Sequence, residues 1–264
     1  MEEVPNNTPL CQYSVHAEKN YPRRRTMEDA HCICDPLIIT DEHSFALYSI
    51  FDGHGGKTAA EHAAKIIKDE MLTILENMED ETFDELMENL FASMDESIKA
   101  AGCEFPGCCA VVCLLHRYEG KTYVRMANCG DACGYVITDD EPIAMSVEHK
   151  ASNADEIKRI EAAGGVVMRG RVGGTIAISR ALGDHYMKQW IISTPYCQEL
   201  ECGDKEKFVV LACDGLWDTV DAKMVKDVLL KDDLDFQSSA KSLVQLAIAK
   251  GSGDNVSVIV IKLQ

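Results

Sequence analysis

Aspartates close three of the most apolar runs in this chain. Leu47-Tyr-Ser-Ile-Phe ends at Asp52 and is followed by Gly53-His54-Gly55-Gly56. Val124-Arg-Met-Ala-Asn-Cys-Gly130 ends at Asp131, and Phe208-Val-Val-Leu-Ala-Cys213 ends at Asp214, with Gly-Leu-Trp-Asp218 behind it. Asp254, in Gly251-Ser-Gly-Asp-Asn255, precedes a last apolar run, and Glu28-Asp29 precedes another that starts at His31. Runs of this kind suit buried strands. Any one acid beside glycine is explained by an ordinary turn or a helix cap. Taken jointly they constrain the fold, because neighbouring strands would bring their terminal carboxylates to one end of the molecule. Uncompensated acids a few ångströms apart repel, and some are forced to hold protons.

Divalent cations remove that repulsion. An all-oxygen donor set, with no Cys-x-x-Cys pair and no paired histidines, selects magnesium or manganese over zinc or copper. Two such ions roughly 4 Å apart can share a bridging carboxylate, acidify a water and stabilise an in-line displacement at phosphorus. Within the basic run Arg23-Arg24-Arg25, Arg24 offers a planar fork for a phosphate. Spacing from Met27 is all that selects it over Arg23 and Arg25. His54 is placed to protonate a leaving oxygen. His62, two turns into the following helix, reads as a packed or exposed helical residue.

Between these points the pattern resolves into elements. Apolar residues recur at three and four from Lys57 to Glu76 and again from Phe83 to Ala100, which predicts two amphipathic helices. Glu81-Thr82 opens the second and Gly102 closes it. Strands are predicted for Cys11–Glu18, from His31, for Ser44–Phe51, and for a hairpin of Cys108–Leu115 and Thr122–Ala127 turning at Glu119-Gly120. Gly134–Ile137, Pro142–Ser146, Val166-Val167, Ile176–Ile178, Trp190–Thr194, Phe208–Cys213 and Val256–Leu263 extend the set. A short helix over Ala154–Ala163 and a pair over Ala222–Leu230 and Phe236–Lys250 complete it. The order does not alternate strictly, which disfavours a doubly wound parallel sheet. It predicts an α+β protein in which two packed antiparallel sheets carry helices outside, with residues 1–264 as a single domain.

At 264 residues, 46% apolar and 27% charged, the chain buries a core easily. A net charge of −18 argues against nucleic acid or anionic membrane as a partner. Part of it reads as solvated surface, as in Glu79-Asp-Glu81 and Asp232-Asp233. No uncharged apolar run approaches the roughly 20 residues of a membrane span. Met1-Glu-Glu-Val-Pro5 lacks the form of a signal peptide and has no glycine for myristoylation, so a cytoplasmic location, and also a nuclear one, is expected. The twelve cysteines read as small hydrophobes in a reducing compartment.

Arg24-Arg-Thr-Met-Glu-Asp-Ala-His31, Phe51-Asp-Gly-His-Gly-Gly56, Asn128-Cys-Gly-Asp131, Ser179-Arg-Ala-Leu-Gly-Asp184, Leu211-Ala-Cys-Asp-Gly-Leu-Trp-Asp218 and Gly251-Ser-Gly-Asp-Asn255 resemble the motif series of the type-2C metal-dependent protein serine/threonine phosphatases. They occur in the family's order and span nearly the whole chain. The resemblance implies a four-layer α/β/β/α sandwich with a two-metal centre at one end. It implies that Asp52 bridges both ions, that Asp214 and Asp254 complete one ion's ligands, and that the Gly53 carbonyl serves the other. Glu28 would act on the second ion through water, with Asp29 supporting bound water nearby. Arg24 would hold the substrate phosphate and His54 would be the general acid. Asp131, with Asp214 and Asp218, matches the family's weaker third metal position, and the segment from Lys150 to Met187 would include the variable flap.

The chain departs from the family pattern in four places. Gly130-Asp-Ala-Cys133 replaces Gly-Asp-Ser-Arg, and Gly107-Cys-Cys-Ala110 replaces Gly-Ser-Thr-Ala. Tyr21-Pro22-Arg23 lacks the usual glycine, and Glu148-His-Lys-Ala151 replaces Asp-His-Lys-Pro. The reading that follows is a magnesium- or manganese-dependent phosphatase acting on phosphoserine and phosphothreonine in proteins by direct in-line attack without a phosphoenzyme, and a monomer is expected. The rival is a pseudophosphatase, the same fold kept as a binding or regulatory module, although Asp52, Asp214 and Asp254 are all present. A cysteine-nucleophile phosphatase lacks its Cys-x5-Arg loop, and a calcium-binding structural protein lacks its EF-type loop.

Overall fold

Strands that read as unbroken apolar runs are expected to be covered on both faces, because successive side chains point to opposite sides of a sheet. The computed structural model, which describes residues 8–76 and 81–263, has that arrangement. The Met1–Pro5 segment and the acidic Glu79-Asp80 lie outside the described residues. The chain runs β1 (Gln12–Glu18), β2 (Ala30–Ile39), β3 (His43–His54), α1 (Thr58–Leu75), α2 (Phe83–Ala100), β4 (Gly107–Tyr118) and β5 (Lys121–Cys129). Then come β6 (Cys133–Thr138), β7 (Ile143–Ala144), α3 (Ala154–Ala162), β8 (Val167–Met168), β9 (Arg171–Val172) and β10 (Leu182–Gly183). Last are β11 (Tyr196–Cys202), β12 (Glu206–Ala212), α4 (Asp214–Trp217), α5 (Ala222–Leu229), α6 (Ser239–Ala249) and β13 (Val256–Lys262).

One sheet has the order β1-β13-β12-β6-β7 and the other β11-β5-β4-β3-β2, with β10 continuing along β4, and the named strands pair antiparallel. Alternate residues of β3 show why there are four layers. Ala46, Tyr48 and Ile50 meet Val209, Leu211, Ile259 and Ile261 between the sheets. Phe45, Leu47 and Phe51 point outward to Ile67 and Met71 of α1 and Leu90 and Met94 of α2. On the far side Val210, Val258 and Val260 meet Val225 of α5 with Leu243 and Val244 of α6. The sandwich is the α/β/β/α arrangement expected above. No described helix is long and apolar enough to cross a membrane.

Several boundaries differ from the sequence reading. β3 does not stop at Phe51. It runs on through Asp52, Gly53 and His54, which pair with Cys109, Cys108 and Gly107. Ile176–Ile178 and Trp190–Thr194 are not strands, since each makes only isolated bridges, Ile176 to Val172 of two-residue β9, Ile178 to Lys150 and Ile192 to Arg180. The helix expected from Phe236 begins as a 3-10 turn over Phe236–Ser238 and becomes α6 at Ser239. Two-residue β10, four-residue α4 and edge strand β11 carried no readable periodicity; β11 is half-exposed along its length.

α3 matters to the site because of what it ties down. Glu156 is buried and accepts hydrogen bonds from Arg159 at 2.9 Å and Arg180 at 2.6 Å. Arg159 also donates to the Ser179 carbonyl and Arg180 to that of Thr194. Burial acts to raise the Glu156 carboxyl, but bonds from Arg180 and Ser179, the charge of Arg180 and a bond from Arg159 outweigh it and hold it at about 2. That value lies below the unfolded one, so the contribution to stability is present above about pH 4 and is lost as pH falls through the folded value. Glu156→Ala is therefore expected to cost about 3 kcal/mol near neutral pH, the low end for breaking a buried ion pair because both arginines keep some solvent. Urea unfolding checks this, and the gap from the unchanged protein should shrink below about pH 4.

Candidate active site

The acids that close the apolar runs do meet. Carboxylate oxygens of Asp52, Asp131 and Asp214 lie within 4.8 Å of one another, and Asp52, Asp29 and the Cys213 thiol form a second such group. Strand pairing accounts for this: Asp52 stands opposite Cys109 on β4, while Asp131 and Asp214 follow the ends of β5 and β12. They sit at the same end of the sandwich, Asp52 in one sheet and Asp214 beside the other. A cleft of about 450 Å³ opens above them, lined in part by Arg24, Glu28, Asp52, Gly53, His54, Asp131, Asp214 and Asp254.

The cluster is electrostatically uncomfortable. Burial, and then the charges of Asp29, Asp214, Asp131 and Asp254, push the Asp52 carboxyl well above the usual carboxylate range. Burial with Asp131, Asp254 and Asp218 pushes Asp214 up to about 7. Burial raises Asp29 to about 6 against hydrogen bonds from Ser257 and Cys213. Cys213 is no rival ligand, since burial keeps its thiol neutral and its sulfur is engaged by the Asn255 carbonyl and the Ser257 N–H. What remains is a set of crowded hard oxygens, which fits oxygen-preferring divalent ions.

The other residues singled out in the sequence are placed as follows. Glu28 accepts from Thr26 at 2.9 Å and from the Gly56 N–H at 3.2 Å. Gly53 is pressed against it, since a Cβ there would stand 2.3 Å from the Glu28 carbonyl oxygen. Asp29 lies beneath the cleft and accepts from Ser257 at 2.6 Å. Arg24 is ion-paired with Asp254 inside the cleft, whereas Arg23 turns away to the Gly251 carbonyl. Asp218 stands apart from the clustered acids, exposed and paired with Lys150 at 3.3 Å. His62, on α1, bonds Ser97 of α2. The twelve cysteines are free thiols, most of them buried.

Two residues given no role from sequence organise this end. Asn255 donates to the Lys19 and Thr26 carbonyls and accepts from the Glu28 N–H, which pins the arginine loop beside Asp254. Asp184 makes a 2.6 Å contact with Nε2 of His54. In the sequence Asp184 ends the motif Ser179-Arg-Ala-Leu-Gly-Asp184 and follows an apolar residue and glycine as Asp131 does, but two-residue β10 is too short to read as a strand that ends in an acid.

A profile described as Protein phosphatase 2C matches residues 13–256. The chain belongs to the protein phosphatase 2C family. It is 33% identical to Protein phosphatase 2C homolog 1 of Saccharomyces cerevisiae over 94% of this chain and 92% of that protein. It is 36% identical to Probable protein phosphatase 2C 52 of rice (Oryza sativa subsp. japonica) over 96% of its own length, but spans only 50% of that protein. A solved structure described as a C. elegans sex determining protein superposes with a TM-score of 0.87 at 25% identity, over 96% of this chain and 65% of that one. As a protein phosphatase 2C the chain is a protein phosphatase by class.

For a family member with such a cluster, metal and protons compete. The raised carboxyls lie above their unfolded values near 4, so protonation favours the fold below about pH 4 and that contribution is lost as pH rises through about 6 to 7. A cation that takes the protons' place reverses the loss. Manganese added to chelator-treated protein is expected to raise the melting temperature more at pH 8 than at pH 5. An equal gain at both would place the ion away from these acids.

Proposed function

We propose that this protein is a magnesium- or manganese-dependent phosphatase for phosphoserine and phosphothreonine in proteins. The convergence of Asp52, Asp131 and Asp214 within 4.8 Å carries the reading, because it leaves a charge deficit that two divalent ions fill. When bound, the ions supply Lewis-acid stabilisation of the phosphoryl group and an activated water for in-line attack. Asp52, common to both acidic groups, would bridge them. Asp214 and Asp254 would complete one ion's protein ligands and the Gly53 carbonyl would serve the other. Glu28 would act through water, with Asp29 supporting it from below.

Arg24 already lies in the cleft, paired with Asp254. Its planar fork would hold the substrate phosphate, and Asp254 would be among the residues that hold a cation. His54 lines the same cleft and would give its proton to the departing serine or threonine oxygen. The third position, of Asp131 with Asp214 and Asp218, is proposed as weaker, since Lys150 already holds Asp218. We assign phosphoproteins as substrates, with the chain acting as a monomer in the cytoplasm and also the nucleus. The alternative of a pseudophosphatase acting as a binding module rests on Ala132-Cys133 alone. Both residues are buried, and Asp52, Asp214 and Asp254, one of which a pseudophosphatase should have lost, are all present.

Hydrolysis of a phosphothreonine peptide is expected to require manganese or magnesium and to stop on chelation. Asp52→Asn is expected to lower turnover by about 100-fold or more, as loss of a group central to transition-state stabilisation does. Turnover by the variant equal to that of the unchanged protein would refute the proposal. Metal binding without turnover in the unchanged protein would favour the binding module.

A further inference from the structure

We infer that Asp184 is the positioning residue of the general acid, holding the His54 ring by Nε2 so that Nδ1 is the nitrogen presented to the leaving oxygen. The inference rests on the reading of His54 given above and adds to it the residue that aims the ring.

The contact is built from three adjacent strands. Gly107 on β4 stands opposite His54 on β3 and, on its other edge, opposite Gly183 on β10. No side chain fills the middle position, so the groups on either side meet across it. A Cβ on Gly107 would lie 2.2 Å from Asp184 Oδ2 and 2.6 Å from His54 Nε2. Gly183 has a positive φ, and a Cβ there would lie 2.4 Å from the Pro106 carbonyl oxygen. Asp184 itself holds the left-handed conformation, φ 50 and ψ 37, which costs a residue with a side chain about 1 kcal/mol or more. Strained backbone kept beside a cleft is a mark of a site.

The bland reading of Asp184 is a helix cap, because it precedes the 3-10 turn His185–Met187. Its side chain makes no capping hydrogen bond there. Nor is it a solvated acid, with a side chain only 1% exposed against 32% for His54. Its Oδ1 has no partner among the described residues, so the bond from Oδ2 to the imidazole is the one its carboxylate makes. A buried carboxylate with a single partner is costly, and it persists where that partner is held for a purpose.

The proton balance follows from which nitrogen is occupied. His54 donates Nε2–H to Asp184 and carries its second proton on Nδ1. As the phosphorus–oxygen ester bond breaks, its electron pair stays on the leaving oxygen and the Nδ1 proton goes there. The ring is left as the neutral Nε2–H tautomer, the form Asp184 already binds.

Asp184→Asn in the full chain, assayed with manganese, tests this through the leaving group. A phosphothreonine peptide expels an alkoxide and needs the proton, whereas p-nitrophenyl phosphate expels a stabilised phenolate and does not. The ratio of kcat on the peptide to kcat on p-nitrophenyl phosphate is expected to fall about 100-fold, the scale of general acid catalysis. Combined with His54→Gln, the substitution should lower that ratio no further. Parallel loss on both substrates, or a further fall in the double variant, overturns the inference. If His54→Gln itself changes both substrates equally, the general-acid reading falls and takes this one with it. If His54→Gln is selective and Asp184→Asn is not, only the role of Asp184 fails. A measurement on the unchanged protein covers poor folding of the variants. The 15N spectrum of labelled histidine should show neutral His54 protonated at Nε2, and a bare Nε2 would overturn the assignment.

Discussion

Mutual repulsion among carboxylates at one end of a close-packed sandwich is the constraint on which the rest of this structure turns. Hydrophobic packing puts it there. β3 is buried on both faces and cannot slip by one residue without turning Phe45, Leu47 and Phe51 from the helices to the inter-sheet core. Its register therefore fixes Asp52, and β12, equally covered on both faces, fixes Asp214 in the same way. The acids stay close because the apolar strands leave them no other position, and the stability of the sandwich carries that cost.

The lower rim of the site is held by different means. Asn255, Asn20 and Ser257 reach across from the β13 side and from the first loop to carbonyls and to Asp29. These bonds join Arg24, Glu28 and Asp29, which come early in the chain, to Asp254 near its end. Side chain to backbone bonds of this kind set a loop's path where no strand ladder is available. The α3 network plays the corresponding part on the flap side, through Arg159 and Arg180.

The elements are legible in sequence where long apolar periods specify them, as in helices α1 and α2, the β4–β5 hairpin and β12. The Glu119-Gly120 turn is readable from a glycine between two apolar runs, and both residues take positive φ as a type I′ hairpin turn requires. The acids at strand ends were readable for the same reason as the strands. Asp184 and Asn255 end two of the quoted motifs but show no role there, because their partners lie about 130 and 230 residues away along the chain, separations that set no local pattern. Asp218 shows the converse. Its place in a motif suggested a ligand, while its side chain turns to solvent and Lys150.

The acids also differ in how far the chain itself neutralises them, and that ranks their need for a cation. Asp131 receives the Cys109 thiol at 3.1 Å, and Asp218 has Lys150. Asp254 has Arg24. Among the described residues Asp52 receives a long 3.4 Å bond from the Asp214 N–H before it meets the other carboxylates, and burial leaves it little water. Charge is therefore poorly compensated at the one residue common to both acidic groups. A cation bound between those groups relieves several repulsions at once, whereas one near Asp218 must displace a lysine already in place. Burial still pushes the Asp131 carboxyl up, and the lysine already on Asp218 is what would make the proposed outer position the weaker one.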